Sequence, residues 1–170
     1  AIYTLSDQLR KILSFTSGDR NFHRIETSLN SIDIGNTTDL NTNVRRFASL
    51  NRKSGVVFLI SDFLDPGSYK NGLKYLVSRD FEVCTIHIIS EDELNPQFSG
   101  DLRLEDVETG QIKEITVTDK VLENYKNRVA DFCDQFAWFC LSCGITYIRC
   151  HNQNTMDRFF LNDLRQVGVI

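Results

Sequence analysis

The hydrophobic positions change period several times along the chain, and each change marks an element. "AIYTL" and "LRKIL", separated by "SDQ", predict a short hairpin over residues 1–5 and 9–13. In "NFHRIETSLNSI", Phe22, Ile25, Leu29 and Ile32 recur at helical spacing, predicting an amphipathic helix over about 20–32. "DIGNT" turns the chain, and Leu40, Val44, Phe47 and Leu50 then share one face of a second helix. Either Thr38 or Asp39 can cap it, because a side-chain oxygen at that position accepts from orphan amides of the first turn. "GVVFLIS" shows no alternation, the pattern of a strand, 56–61, buried on both faces. A helix over about 67–79 follows, then the strand "FEVCTIHII", 82–89.

"DLRLEDVETGQIKEITVT" alternates and turns at "ETGQ", predicting a β-hairpin, 101–117, inserted between strand and helix. A long helix, 119–142, turns Val121, Tyr125, Val129, Phe132, Phe136 and Phe139 inward, and Gly144 ends it in the left-handed conformation that glycine tolerates. "ITYIRC" supplies a strand over 145–149, and "NTMDRFFLNDLRQ" a last helix capped by Asn154 or Thr155. Strands alternating with helices indicate an α/β fold: a mostly parallel sheet from 1–5, 56–61, 82–89 and 145–149, with 9–13 as an antiparallel edge and helices on both faces. No linker, repeat or low-complexity segment divides the chain, so residues 1–170 are expected to form a single domain.

Composition narrows the function classes. A chain of 170 residues can bury roughly 70% of its unfolded surface. Its 19 basic and 23 acidic side chains give a net charge of -4 without a block of either sign. That argues against a nucleic-acid surface, where a basic patch supplies most of the affinity. No apolar run reaches the ~18 residues of a spanning helix. The opening "AIYTL" has no initiator Met and already resembles a strand, the expectation for a piece of a longer protein. A cytoplasmic location is expected, with any membrane anchor outside these residues. Five cysteines, an odd number in apolar company, suggest buried thiols in a reducing compartment.

The candidate chemistry centres on "FLISDFLDPG", which delivers Asp62 and Asp65 at the exit of the strand 56–61. The crevice of an open parallel sheet lies beyond the carboxyl ends of its strands. Carboxylate and hydroxyl oxygens there suit a hard cation such as Mg²⁺. The structural alternative is that Ser61 and Asp62 cap the following helix and Thr38 caps its own. Asp65 precedes Pro66, a pairing that favours a turn into the helix and suggests a capping role. Cys140-x-x-Cys143, with Cys150 and His151 beyond, has zinc-ligand residue types but only one pair at typical spacing. The pair also lies at a helix C-terminus, whereas a thioredoxin-type pair sits at an N-terminus. His87, inside its strand, reads as a hydrogen-bonded core or edge residue.

"VVFLISDFLDPGSYKNGLKYL", "EVCTIHIISEDELNP", "GDLRLEDVETGQ" and the ending "LRQVGV" together resemble the bacterial proteins called domain of unknown function 58. "SDFLDP" with "DVETG" is more specific than either phrase alone. The shared domain of that family is similar to von Willebrand factor A domains, which are Rossmann-like and carry a metal-ion-dependent adhesion site on three loops. By this resemblance Thr38 matches the threonine of the second loop and Asp62 the aspartate of the third, with Thr37 a neighbouring alternative. The D-x-S-x-S segment of the first loop, and the first central strand that precedes it, do not occur in these 170 residues. The resemblance therefore implies Mg²⁺ in an intact protein, and an empty or weakly occupied site here. It also implies two exposed strand edges, through which a dimer could form.

Two function classes follow. The resemblance implies a non-enzymatic protein-interaction module, partnered by a MoxR-type AAA+ ATPase in the assembly or maturation of other complexes. The alternative is a metal-dependent hydrolase using Asp62 and Asp65. No nucleophile, general base or phosphate-binding glycine loop accompanies those carboxylates.

Overall fold

The structure, a computed structural model, describes residues 1–32, 38–65, 67–105, 112–151 and 164–165. They gather into two compact units, Ala1–Ser54 with Leu64–Arg79, and Gly55–Phe63 with Asp80–Ile170.

In the first unit, strands β1 (Ile2–Leu5) and β2 (Leu9–Leu13) form an antiparallel hairpin. Helices α1 (Phe22–Asn30), α2 (Leu40–Leu50) and α3 (Lys70–Ser78) follow. Among the described residues the hairpin pairs only with itself, as a two-stranded sheet, so the expected place of 1–5 and 9–13 in the parallel sheet is corrected. Side chains tie it instead to α2. Buried Asn43 donates to the Ser6 carbonyl at 2.6 Å. The Tyr3 hydroxyl donates to Asn51 at 3.2 Å, and its ring meets Phe47 edge-on at 5.0 Å.

The face of α2 is also not quite the one expected: Leu40, Val44 and Ala48 are buried, while Leu50 is 64% exposed. Helices α2 and α3 pack closely where Gly72 meets Asn41. A Cβ at Gly72 would lie 3.2 Å from the Asn41 Cα and 3.2 Å from the Val44 Cβ. The Asn41 amide stitches the same junction, donating to the Gly67 carbonyl at 2.9 Å and accepting from the Gly72 amide at 2.6 Å.

The second unit runs β3 (Val56–Ser61), β4 (Glu82–Ile89), the short helix α4 (Glu91–Leu94), the hairpin β5 (Gly100–Glu105) and β6 (Ile112–Val117), the long helix α5 (Asp119–Ser142) and β7 (Thr146–His151). Strands β3, β4 and β7 form a parallel sheet in that order. This is a mixed α/β arrangement, and its strands and long helix fall close to the expected boundaries. Thr118 caps α5 by accepting from the Val121 amide, and Gly144 leaves it at φ +69°. Helix α4 was not expected. Its signal was local: Ser90 and Glu93 form a reciprocal capping box three residues apart.

Helix α5 lies on one sheet face, burying Cys133, Phe136, Phe139 and Cys140. On the other face Cys84, Ile86 and Ile148 pack with Leu164, and Cys150 lies against them. The expectation that β3 is buried on both faces is corrected: Val56, Phe58 and Ile60 are 56%, 47% and 62% exposed. Alternation puts these three on one face, and the Leu164 cluster involves only β4 and β7. Strand β3 is therefore an edge whose uncharged outer residues have no cover among the described residues. Of the last predicted helix only Leu164 and Arg165 are described; its proposed caps, Asn154 and Thr155, lie outside the described residues. No helix among the described residues is long and apolar enough to cross a membrane.

Candidate functional site: the carboxyl-terminal edge of the sheet

The last residue of β3 is Ser61, and its parallel register makes Ser61, His87 and Arg149 one row across the three strands. Asp62 follows at the carboxyl end of that sheet, with an exposed side chain. The chain then turns sharply at Phe63, whose φ of +57° is unusual for a bulky residue. Burial holds it there: the Phe63 ring is 1% exposed and lies 4.3 Å from the ring of Phe136 on α5. The Phe63 amide donates to the Ser61 hydroxyl at 3.0 Å, and that hydroxyl lies 3.4 Å from the Asp62 carboxylate.

Neither Ser61 nor Asp62 caps the next helix. Helix α3 begins at Lys70, and its N-cap is Tyr69, without a side-chain cap. The structural alternative for Asp62 thus fails.

Beneath the loop lies His87, 1% exposed, on the central strand. Its ring meets Phe63, Phe132 and Phe136 edge-on, at centroid distances of 5.9, 5.8 and 5.4 Å. Nδ1 lies 3.0 Å from the Tyr147 hydroxyl, and the ring also hydrogen-bonds the backbone of Asp62. Burial, assisted by the Arg149 charge, depresses the His87 pKa below its ordinary 6.5, so the ring is neutral at pH 7. Arg149 donates from Nε to the Tyr147 hydroxyl at 3.2 Å and pairs with exposed Asp134 at 3.6 Å. Burial raises the Tyr147 pKa. The core reading of His87 holds, but Phe63, Tyr147 and Arg149 escaped notice. Their available signal was the alternation that puts Tyr147 and Arg149 on one face of a strand.

Asp65 has a different job, in the first unit. Its Oδ1 accepts from the Gly67 amide at 2.6 Å, and its Oδ2 from the amide of Leu40, the first residue of α2. It is a cap, as expected, but for α2, not for the helix that follows it. Asp39 is the N-cap of α2, accepting from the Thr42 amide at 2.9 Å, and this bond lowers its pKa. Thr38 precedes the cap and is exposed; Thr37 lies outside the described residues.

The cysteines pack as thiols. Cys140 is fully buried and 3.6 Å from the Thr85 hydroxyl, which itself donates to the Thr146 carbonyl at 3.2 Å. The thiol must therefore be the donor to Thr85, and burial pushes its pKa up to about 11. Cys143 is the C-cap of α5, which confirms the pair at a helix C-terminus. Among the described residues no group of three or more His, Cys, Asp or Glu side chains is placed to hold a metal.

Residues 1–133 match the family described as "Protein of unknown function DUF58", an interval that takes in Thr38, Asp62, Asp65 and His87. The chain belongs to this family. Among its relatives, an uncharacterized protein of Mycobacterium avium is 28% identical over 111 residues, covering 65% of each chain. Uncharacterized proteins of Mycobacterium bovis and Mycobacterium tuberculosis are each 25% identical over 113 residues. There the match covers 66% of this chain but 34% of theirs. No solved structure matches. Within the DUF58 chain the donors at the sheet edge are oxygens, the type a hard cation prefers. One carboxylate and one hydroxyl are nevertheless few for Mg²⁺, which takes six oxygens.

Proposed function

We propose that this DUF58 chain is a non-enzymatic protein-interaction module that docks a partner at the carboxyl-terminal edge of its parallel sheet, with Asp62 as the central contact. The observation that carries this reading is the turn at Phe63. It directs an exposed carboxylate from the carboxyl end of the sheet. A left-handed bulky residue costs on the order of 1–3 kcal/mol and persists where the surroundings over-determine it, commonly at ligand sites.

The family resemblance supplies the finer reading: Mg²⁺ held by Asp62 and Thr38 and completed by a further loop, with a MoxR-type AAA+ ATPase as the partner. Such an ion would give a partner's carboxylate something to bind. Asp62 would be a ligand through its carboxylate, and Ser61 would steady that carboxylate. The hydrolase alternative gains nothing, because both oxygens of Asp65 already accept backbone amides.

Calorimetric titration of Mg²⁺ into an intact protein that carries the first-loop segment, as wild type, Asp62→Ala and Asp65→Ala, tests the reading, together with capture of the ATPase in the presence of Mg²⁺ or a chelator. The expected result is Mg²⁺-dependent capture that Asp62→Ala weakens at least about tenfold, equivalent to ~1.4 kcal/mol, and Asp65→Ala leaves intact. Equal Mg²⁺ affinity in wild type and Asp62→Ala would remove the adhesion-site reading.

A further inference from the structure

We propose that His87 and Tyr147 are positioning residues that lock the peptide joining Asp62 to Phe63, and so fix where the Asp62 carboxylate points. The consequence for docking rests on the reading of Asp62 given above; the lock itself does not.

That peptide is held at both ends. Its N–H, on Phe63, donates to the Ser61 hydroxyl at 3.0 Å. Its C=O, on Asp62, is the backbone group bonded by the His87 ring. Ser61 and His87 are register partners on neighbouring strands, so the sheet itself sets the spacing of the two clamps. The lock opposes a specific motion. Rotating this peptide about its flanking bonds changes ψ of residue 62 and φ of residue 63 together, and would let Phe63 relax from +57° to an ordinary negative φ. Such a flip breaks both hydrogen bonds and turns the Asp62 carbonyl away from His87.

The direction of the bonds at the ring follows from the group that cannot donate. The Asp62 carbonyl is an acceptor only, so the ring nitrogen bonded to it carries the proton, and in the neutral imidazole Nδ1 is left as the acceptor. The Tyr147 hydroxyl, which accepts from Arg149 Nε, then donates its proton to Nδ1. The edge-on rings of Phe63, Phe132 and Phe136 box the imidazole against rotation. Tyr147 on one outer strand thereby braces the ring that holds the loop beyond the other, and the sheet order, with β4 in the middle, makes the contact direct.

The test uses NMR on the whole chain. In wild type, ¹⁵N shifts should report the Nε2–H tautomer of His87, and the Phe63 amide should exchange slowly. His87→Leu should speed Phe63 amide exchange at least about tenfold while β4 amides keep their protection. His87→Gln, whose side-chain NH₂ reaches about where Nε2–H does, should restore it. Tyr147→Phe keeps the packing, removes the partner of Nδ1 and should also speed Phe63 amide exchange, which covers the case in which His87→Leu does not fold. A purely structural histidine would lower stability without this local, Gln-rescued signature. Unchanged Phe63 exchange in His87→Leu, or in Tyr147→Phe where His87→Leu does not fold, overturns the proposal. Mg²⁺ titration of a longer protein that carries the D-x-S-x-S loop reads the other question separately: absence of binding there would sink the cation reading of Asp62, with the exchange result still decisive for the lock.

Discussion

Asp62 and Asp65 stand three positions apart and act on different parts of the molecule, so their substitutions should separate. Asp65→Ala strips the acceptor from the amides of Leu40 and Gly67 at the start of α2 and in the turn before α3. Losing a partner for a part-buried donor costs about 1–3 kcal/mol. A fall of that size in urea-unfolding free energy is expected, whereas Asp62→Ala, on an exposed side chain, should stay within about 0.5 kcal/mol. The Cys140 thiol makes a second prediction at this scale. Its pKa is about 11 in the folded chain against an ordinary 9.0, so the unfolded chain loses the proton first as pH rises. The stabilisation is complete below about pH 9 and declines as pH climbs towards 11. Burial moves the Cys84 and Cys133 thiols the same way. Thermal melts between about pH 8.5 and 10.5 should fall steadily, and Cys140→Ala should flatten that slope even though it lowers the starting stability.

Elements differ in how far they could be read in advance. Strands β3 and β4 and helix α5 were legible because each is long, uninterrupted and bounded by its own turn or cap residues. What strand β3 would be packed against was not. A run such as "VVFLI" records what the strand offers for burial, while the cover comes from elsewhere in the chain. Distant partnerships were equally invisible: Asp65 finds α2 across 25 positions, and His87 finds Tyr147 across 60. The hairpin 1–13 formed as expected, but its place in the parallel sheet was not legible, since its two strands satisfy one another and its anchors are the side chains of Tyr3 and Asn43. The contact between α2 and α3 allows a sharp test. Alanine is favoured over glycine in a helix by about 1 kcal/mol. At Gly72, however, a methyl would press on the Asn41 backbone at 3.2 Å, and overpacking costs about 1–3 kcal/mol. Backbone cannot yield as a side-chain tip can, so Gly72→Ala should be destabilising by about 1 kcal/mol net in denaturant unfolding, not neutral.

At the scale of the molecule, some parts carry the fold and others do not. Among the described residues strands β5 and β6 pair only with each other, and most of their side chains are exposed. Replacing residues 100–117 with a short Gly-Ser link should therefore move Tm by less than about 4 °C, roughly 1 kcal/mol for a chain of this size. Strand β3 is the opposite case, being structural on one side and, among the described residues, open on the other. Its outer row of Val56, Phe58 and Ile60 has no lysine, proline or bulge to deter a second strand. In concentrated solution that row is expected to nucleate cross-β fibrils, so the protein's shelf life should be set by this strand and not by its melting point. Ile60→Lys, at a position already 62% exposed, should delay the onset of turbidity and thioflavin fluorescence severalfold with Tm nearly unchanged. An unchanged lag time would place the nucleating segment elsewhere in the chain.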